Sequence, residues 1–339
     1  MKRLLPDLQN INQILEHINY EAVRLRKNFT LDKLFAKQSQ NLVMIARLFL
    51  TLTDYPAFRR IIWKPVYEAL AKKIKVDNWH FMNYGYAPFE FEQPLQLKCK
   101  DEINRYSIQL YHYLISAIDI EGLHILEVGS GRGGGAVYID EYLKPKSVVG
   151  LDIAHNAVRL ANKNHSSASL QFIQGNAENL CFADASFDVI INVESCHAYG
   201  SVPAFLEEVK RVLKPNGYFL CTDMRCPEGM QTLRRNLLNT GMKLFSQEDI
   251  TDNVIRAIEL EDEIKLQRIS KNIPKWLMKA FKEFAGVKGS KIHEDLKSGS
   301  LVYHRFALQK SFSHHKIKNY EKVHLPSGQA YKSCIISSL

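Results

Sequence analysis

The sequence lacks any long apolar stretch. The longest apolar run near the N-terminus, residues 42–52, contains Arg47 and is much shorter than the roughly 20 residues that a transmembrane helix needs. The start, Met1-Lys2-Arg3, resembles a signal peptide, but Asp7, Gln9 and Asn10 interrupt any apolar segment behind it. We therefore expect neither a membrane span nor export by that route, and we expect a cytoplasmic protein.

Paired cysteines are also lacking. The six cysteines are scattered over positions 99, 181, 196, 221, 226 and 334, and none forms a C-x-x-C pair. This spacing suggests neither a zinc site nor a disulfide framework. Several cysteines fall in predicted core strands, where cysteine behaves as a small apolar residue. We expect no metal site, and a reducing cytosol suits these thiols.

The central part of the chain has no excess of positive charge, although the whole chain has a net charge of +9. Residues 1–80 hold 14 Lys/Arg against 7 Asp/Glu, and residues 311–339 hold 4 against 1. Residues 81–310 therefore carry 27 against 28, a net charge of −1. Because phosphate contacts need Lys or Arg beside the active site, we expect no nucleic-acid partner.

The chain has a globular composition, and its most informative stretch is residues 124–152. An apolar run from His124 to Val128 reads as a strand, and the glycine-rich segment 129–133 follows it at once. Glycines are needed where a strand turns sharply into a helix with a ligand against the backbone. A helix over 136–143 and a strand over 147–151 follow. That strand ends in Asp152, an acid that can accept hydrogen bonds from a ribose.

Two cofactors are compatible with this stretch. Gly129, Gly131 and Gly134 satisfy G-x-G-x-x-G, with an acid about 20 residues further on, so a dinucleotide is formally allowed. Three details favour S-adenosylmethionine. Glu127 stands two residues before the first glycine, no second nucleotide-binding half follows, and residues 175–178 close a third strand, 170–174.

The arrangement resembles the class I S-adenosylmethionine-dependent methyltransferases over residues 80–310. The segment E-V-G-S-G-R-G is similar to the first motif of these enzymes, and Asp152 matches their ribose-binding acid. The segment V-L-K-P-N-G, which ends at Gly217, is similar to their L-[KR]-P-x-G turn. In that last turn we expect Gly217 to take a positive φ. The resemblance implies an α/β fold with a doubly wound, seven-stranded, mostly parallel sheet.

Two further segments resemble the branch that acts on small molecules of lipid, sterol or polyketide type. These are N-Y-G-Y at 83–86 and D-I-T-D-N-V at 249–254. The resemblance implies a hydrophobic small-molecule substrate and S-adenosyl-L-methionine as cofactor. The cofactor-binding residues that it implies are Glu127, Gly129, Ser130, Gly131, Gly133, Asp152, Ile153, Asn176, Ala177, Glu178, Asn192 and Tyr84.

His197 and Asp223 are the candidate catalytic residues. The segment E-S-C-H, which ends at His197, directly follows the predicted buried strand 187–193, so His197 should lie beside the methyl donor. Methyl transfer to oxygen needs in-line approach and removal of the hydroxyl proton, and a histidine side chain is a natural base. A histidine also occurs at the matching position in the E-S-x-H segment of the small-molecule branch that this sequence resembles. Asp223 could orient that imidazole, or only cap the end of a strand.

The predicted organisation has three parts. Residues 1–80 form a helical N-terminal extension, with helices near 7–27, 31–52 and 57–74. Residues 81–310 form the methyltransferase domain with a helical cap over about 225–285, and 311–339 form a C-terminal tail. The N-terminal helices are either a lid on the core or a basic amphipathic surface for peripheral contact with anionic membranes.

The predicted function is O-methylation of a hydrophobic small molecule that is lipid or polyketide-like. N- or C-methylation of a small acceptor is an alternative. A non-catalytic module that binds S-adenosylmethionine and engages a membrane or a protein through its N-terminal helices is another. The acid at Asp152 and the presence of His197 argue against a degenerate site.

Overall fold

The computed structural model describes residues 80–89, 95–165, 167–273 and 278–311. The three predicted N-terminal helices and nearly all of the predicted tail lie outside the described residues. The described part corresponds to the region that the sequence assigns to the methyltransferase domain.

A seven-stranded sheet organises the described part, in the order β3-β2-β1-β4-β5-β7-β6. The first five strands run parallel to one another, and β7 runs antiparallel to both β5 and β6. The predicted doubly wound, mostly parallel sheet is therefore confirmed. The strands are β1 His124–Val128, β2 Ser147–Asp152, β3 Leu170–Gln174, β4 Phe187–Val193, β5 Leu213–Arg225, β6 Lys243–Asp249 and β7 Val302–Gln309.

Helices lie on both faces of this sheet. They are α1 Arg105–Ile115, α2 Gly134–Tyr142, α3 His155–Asn164, α4 Val202–Val212, α5 Pro227–Asn239, α6 Thr251–Asn272, α7 Met278–Ala285 and α8 Lys291–Lys297. Short 3₁₀ turns occupy Glu102–Asn104 and Cys196–Ala198. One apolar cluster joins α1, α2 and α3 to the sheet, and a second joins α4 and α5 to the opposite face. Since apolar residues on both faces are covered, the central strands are buried throughout.

The prediction of helix over the whole of 225–285 is wrong at Lys243–Asp249, which form strand β6. This strand lies at the edge of the sheet and pairs with β7 alone. The residues of this strand alternate between exposed and half-buried. Its sequence, KLFSQED, therefore does not show the regular alternation of apolar residues that predicts a strand with one buried face. Within the predicted cap, helix α5 precedes β6, and helices α6 and α7 follow it; α8 lies beyond the predicted bounds. That these helices form a cap stays a prediction.

The turn that ends at Gly217 differs from its prediction. Asn216 takes the left-handed conformation, with a φ of 62°, and Gly217 does not. A glycine is required at 217 for another reason, because a Cβ atom there would lie 2.9 Å from the carbonyl oxygen of Asp188. The close approach of two strands, rather than a positive φ, explains this glycine.

Among the residues that the structure describes, no helix combines the length and the apolar character that a membrane span requires.

Candidate active site

The carboxyl ends of β1, β2, β4 and β5 meet at one edge of the sheet. Because β1 lies between β2 and β4, the direction of the crossovers reverses beside it, and such a switch point is where doubly wound sheets bind ligands. Gly129 follows β1, Asp152 ends β2, His197 follows β4 and Asp223 lies near the end of β5. The tertiary structure therefore brings these predicted residues to the same edge of the sheet.

The glycine-rich turn after β1 is shaped by positive φ angles and fixed by Asp152. Gly129 has a φ of 81° and Gly131 one of 54°. A Cβ atom on Gly129 would lie 2.3 Å from Oγ of Ser195, so only glycine fits there. The Asp152 carboxylate accepts the backbone N–H groups of Gly131 and Ala154, each at 2.8 Å. The acid at the end of β2 thus sets the shape of the turn.

Glu127, in β1 just before the turn, is buried against α1. The hydroxyl of Tyr111 donates to its Oε1 at 2.6 Å. Burial raises the pKa of Glu127 to about 7, although the hydrogen bonds from Tyr111 and from the backbone of Ala136 favour the carboxylate. Within the described ranges, its Oε2 and the buried Oγ of Ser130 have no hydrogen-bond partner. Two polar atoms beside the turn are therefore left for a ligand.

Replacing Glu127 by glutamine should stabilise the free protein at about pH 8. The pKa of the folded carboxyl, about 7, lies above its ordinary value of 4.5, so ionisation costs folded stability as the pH rises between these values. Glutamine retains an acceptor for Tyr111 without the charge. The free energy of unfolding should rise by at most roughly 3 kcal/mol at that pH, and the gain should shrink towards about pH 5.

Urea unfolding of both proteins at the two pH values measures this difference. The matched control is Glu207→Gln, since Glu207 is exposed on α4 and its change should have no such pH-dependent effect. A glutamine variant that is less stable than wild type at the higher pH would contradict the assigned cost of the buried charge.

The loop after β3 holds the predicted adenine-side residues. Oδ1 of Asn176 accepts the backbone N–H of Glu178 at 3.0 Å. The Glu178 carboxylate accepts two backbone N–H groups of the segment just before α4, at 2.8 and 3.2 Å. Ala177 is buried, whereas Ile153, beside Asp152, is 40% exposed. These bonds join the loop after β3 to the segment before α4. Contact of the loop with a cofactor stays a prediction.

Asn192 is fully buried near the end of β4 and bonds to the protein itself. Its amide nitrogen lies 2.9 Å from the carbonyl oxygen of Val128 and 2.7 Å from Oγ of Ser195. These bonds tie the end of β1 to the segment after β4 and thereby support the glycine-rich turn. The predicted cofactor contact of Asn192 is not visible in these bonds and stays a prediction.

The two candidate catalytic residues are hydrogen-bonded to each other. Nδ1 of His197 lies 2.6 Å from Oδ1 of Asp223, and the side chains are 34% and 0% exposed. Burial alone would raise the pKa of Asp223, but attraction to His197 and Arg225 and the hydrogen bonds from His197 and Cys196 outweigh it. The pKa of Asp223 therefore lies well below its usual range, and the carboxylate is ionised at neutral pH.

Arg225, Glu194 and Tyr303 are site residues that the sequence did not predict. Nη2 of Arg225 lies 2.9 Å from Oδ2 of Asp223, on the far side of the carboxylate from His197. Oε1 of Glu194 accepts the hydroxyl of Tyr303 at 2.6 Å. Glu194 is the acid of the E-S-x-H segment, which was the one signal available in the sequence. Tyr303 lies in β7, more than 100 residues from Glu194, and no sequence signal indicated it.

Tyr84 lies in a segment that packs on the glycine-rich turn, residues 80–89, which we call the aromatic loop. A Cβ atom on Gly131 would lie 3.0 Å from the end of the Met82 side chain. The backbone N–H of Tyr84 donates to Oε1 of Glu194 at 2.8 Å. Residues 80–89 form neither a helix nor a strand, and the backbone N–H of Tyr86 donates to the carbonyl oxygen of Tyr106 in α1 at 3.0 Å.

These features fit S-adenosylmethionine. The turn after β1 exposes backbone where side chains have no room, and an acid ends the neighbouring strand. The two buried polar atoms beside the turn, on Glu127 and Ser130, are suited to hydrogen-bond a polar ligand. The sheet order and the site together define an S-adenosylmethionine-dependent methyltransferase.

Comparison with known proteins agrees with this assignment, and the chain belongs to the family of S-adenosylmethionine-dependent methyltransferases. Residues 126–221 match the family described as methyltransferase domain. The chain is 36% identical over 251 residues to the phthiotriol/phenolphthiotriol dimycocerosates methyltransferase of Mycobacterium tuberculosis, covering 74% of this chain and 92% of that protein. It is 35% identical over 249 residues to the fatty-acid O-methyltransferase of Mycolicibacterium smegmatis, covering 73% and 89%.

Solved structures share the fold at low sequence identity. The [4+2]-cyclase SpnF aligns with a TM-score of 0.57 at 17% identity, covering 73% of this chain and 94% of that one. A putative sarcosine dimethylglycine methyltransferase from Galdieria sulphuraria aligns with a TM-score of 0.55 at 16% identity, covering 71% and 98%. These likenesses support the fold alone, because one fold hosts different reactions.

Proposed function

We propose that the protein transfers the methyl group of S-adenosylmethionine to an oxygen atom of a long-chain lipid, either a hydroxyl or a carboxyl oxygen. The observation that carries this proposal is the pair formed by His197 and the buried Asp223 at the carboxyl ends of the strands. An imidazole held in this way is suited to take a proton from a hydroxyl group. The names of the relatives, one of them a fatty-acid O-methyltransferase, support an acceptor of this class.

The proposed cofactor site lies around the glycine-rich turn. When bound, S-adenosylmethionine supplies a methyl group on a positively charged sulfur. Asp152 would accept hydrogen bonds from the ribose, and the turn would approach the cofactor through its backbone. The residues proposed to hold the cofactor are Glu127, Gly129, Ser130, Gly131, Gly133, Asp152, Ile153, Asn176, Ala177, Glu178, Asn192 and Tyr84.

The ionised state of Asp223 sets the tautomer of His197. A carboxylate can only accept, so Nδ1 of His197 carries the hydrogen and donates it to Asp223. In this neutral tautomer Nε2 is the ring nitrogen that can take a proton, and we assign it the proton of an acceptor hydroxyl. The positive charge that forms on the ring is stabilised by Asp223. A carboxylic acid acceptor is already ionised at neutral pH and needs no such base.

A panel of matched acceptors tests the proposal. The full-length protein and S-adenosylmethionine are incubated with hexadecanoic acid, hexadecan-2-ol, hexadecylamine and butanoic acid, and the products are identified by mass spectrometry. We expect a methyl ester or ether of the long-chain acid or alcohol, with little product from the short acid. Methylation of the amine without methylation of oxygen would contradict the proposal and favour an N-methyltransferase.

We further propose that residues 1–80 bring the enzyme to anionic membranes, while residues 81–310 form its catalytic domain. The support is the net charge of +7 on this extension and its predicted amphipathic helix over 7–27. The intact chain should sediment with anionic but not neutral liposomes, and about 0.5 M salt should release it.

Matched charge reversals locate the membrane contact. Reversal of Arg24 and Lys27 to glutamate should weaken liposome binding. The same reversal at Lys243 and Lys288, which are exposed on the catalytic domain, should not. If the intact chain does not bind at low salt, the extension is a lid on the core instead.

A further inference from the structure

The aromatic loop lies directly on the glycine-rich turn and on the start of α2. A Cβ atom on Gly134 would lie 2.8 Å from the carbonyl oxygen of His80 and 3.0 Å from the ring of Phe81. The Phe81 ring also meets the ring of Tyr111 edge-on, with 6.0 Å between the centroids. Any ligand in the turn therefore lies close to this loop, and the position of the loop affects how the ligand is held.

The end of the loop is anchored away from the sheet. The backbone N–H of Tyr86 donates to the carbonyl oxygen of Tyr106 in α1 at 3.0 Å. Ala87 exchanges two hydrogen bonds with Asn253 in α6, at 3.1 and 3.0 Å. These bonds attach residues 86–87 to two helices. Among the preceding residues, which lie over the turn, Asn83 donates its amide N–H to the carbonyl oxygen of Ser107 in α1 at 3.3 Å.

Glu194 connects those preceding residues to the sheet. Its Oε1 accepts the backbone N–H of Tyr84 at 2.8 Å and the hydroxyl of Tyr303 at 2.6 Å. Tyr303 is fully buried in β7, so the carboxylate is braced from the sheet. One oxygen atom thus joins the end of β4, the strand β7 and the aromatic loop.

The backbone of Glu194 is held in an unfavourable conformation to make this connection. Its φ is 46°, in the left-handed region that costs a residue with a Cβ atom roughly 1–2 kcal/mol. Its N–H donates to the carbonyl oxygen of Thr222 in β5 at 2.9 Å. Strain of this kind persists where the surrounding structure demands it, and it clusters at ligand sites.

We propose that Glu194 is a positioning residue that latches the aromatic loop onto the end of β4 and so closes it over bound S-adenosylmethionine. A carboxyl group suits this task because one of its oxygens accepts both hydrogen bonds at once. Burial raises the pKa of Glu194 to about 7, whereas the hydrogen bonds from Tyr303 and from the backbone of Tyr84 favour the ionised form. The latch acts on cofactor retention and does not depend on which acceptor is methylated, although its value for catalysis rests on the proposed function.

Two substitutions at the same position test the latch. Glu194→Gln keeps a side-chain oxygen that can accept from Tyr84 and Tyr303, whereas Glu194→Ala removes the acceptor. The dissociation rate of S-adenosylhomocysteine should rise about 10–100-fold in the alanine variant and less than about threefold in the glutamine variant. Hydrogen–deuterium exchange of residues 80–89 in the complex should rise in parallel, with exchange in β1 and β4 unchanged.

Tyr303→Phe provides a milder variant, because it removes one hydroxyl and leaves the carboxylate. The dissociation rate of S-adenosylhomocysteine from this variant should be intermediate. The variant also keeps the test valid if the alanine variant does not fold. Glu228→Ala, which alters an exposed acid at the start of α5, is the matched control and should leave both readouts unchanged. If all three site variants retain wild-type dissociation rates and exchange, the latch is refuted.

An effect on kcat without an effect on cofactor retention would also refute the proposal. If alanine and glutamine lower kcat equally and leave cofactor retention unchanged, Glu194 acts in the chemistry and not as a latch. Because retention and exchange are measured without any acceptor, a wrong assignment of the lipid acceptor would leave these outcomes unaffected.

Discussion

Substitution of His197 by alanine should slow methyl transfer to a long-chain alcohol by about 10²–10⁴-fold, the usual contribution of a general base. Affinity for S-adenosylhomocysteine should hardly change, because the turn is fixed by Asp152 whereas His197 is held by Asp223. Single-turnover assays with the alcohol, combined with calorimetric titration of the product cofactor, measure the two quantities separately. The same variant should retain most of its activity on a fatty acid, which is already ionised.

The pH dependence gives an independent check. The rate of the wild-type enzyme with an alcohol should rise with pH, because general-base catalysis needs an unprotonated base, and the alanine variant should lack this rise. Since the pKa of Asp223 lies well below its usual range, that carboxylate is ionised throughout and adds no second step.

The matched control is His112→Ala, because His112 is an exposed histidine on α1 whose ring bonds to Tyr138. Nearly full activity of His197→Ala on the alcohol would reject the catalytic role. Loss of cofactor binding in that variant would instead mark His197 as structural.

Substitution of Asp152 by alanine should weaken binding of S-adenosylhomocysteine by on the order of 10²-fold. The carboxylate has two duties in the proposed complex. It accepts the N–H groups of Gly131 and Ala154, which fix the turn, and it would accept hydrogen bonds from the ribose. Asp152→Asn has one acceptor oxygen in place of two and should fall between wild type and alanine.

Isothermal titration calorimetry measures this series, and circular dichroism verifies that each variant is folded. Asp140→Ala is the matched control, since Asp140 lies towards the other end of α2 and bonds to Ser167 and Ser169. Unchanged affinity in Asp152→Ala would contradict the assigned site. Tight binding of a nicotinamide dinucleotide by the wild-type protein would overturn the choice of cofactor itself.

Local sequence patterns predicted much of the fold. Six of the seven strands carry apolar runs bounded by turn residues, and the predicted bounds of β1, β3 and β4 agree with the structure. Strand β6 was missed because an edge strand that pairs on one side has few apolar residues to bury. The family resemblance implied seven strands, but it did not identify which segment was the seventh.

The site was predictable to the extent that its residues follow strand ends. Gly129, Asp152 and His197 each come directly after a recognisable strand, so the doubly wound topology alone brings them to one edge. The partners that set their chemistry were not predictable. The bond of Tyr111 to Glu127 joins a helix to a strand, and no periodic pattern records such a pairing.

The sequence by itself indicated the class of fold and the cofactor, because short motifs carry the resemblance to the family that implies both. The histidine that could take a proton stays a prediction from the sequence. Only the tertiary structure decided how Glu194 is used, since its bonds to Tyr84 and Tyr303 span 110 and 109 residues of chain. Such contacts are made when the sheet closes and the loop packs on it. Their physical basis is burial and hydrogen bonding between distant segments, which neighbouring residues along the chain do not reveal.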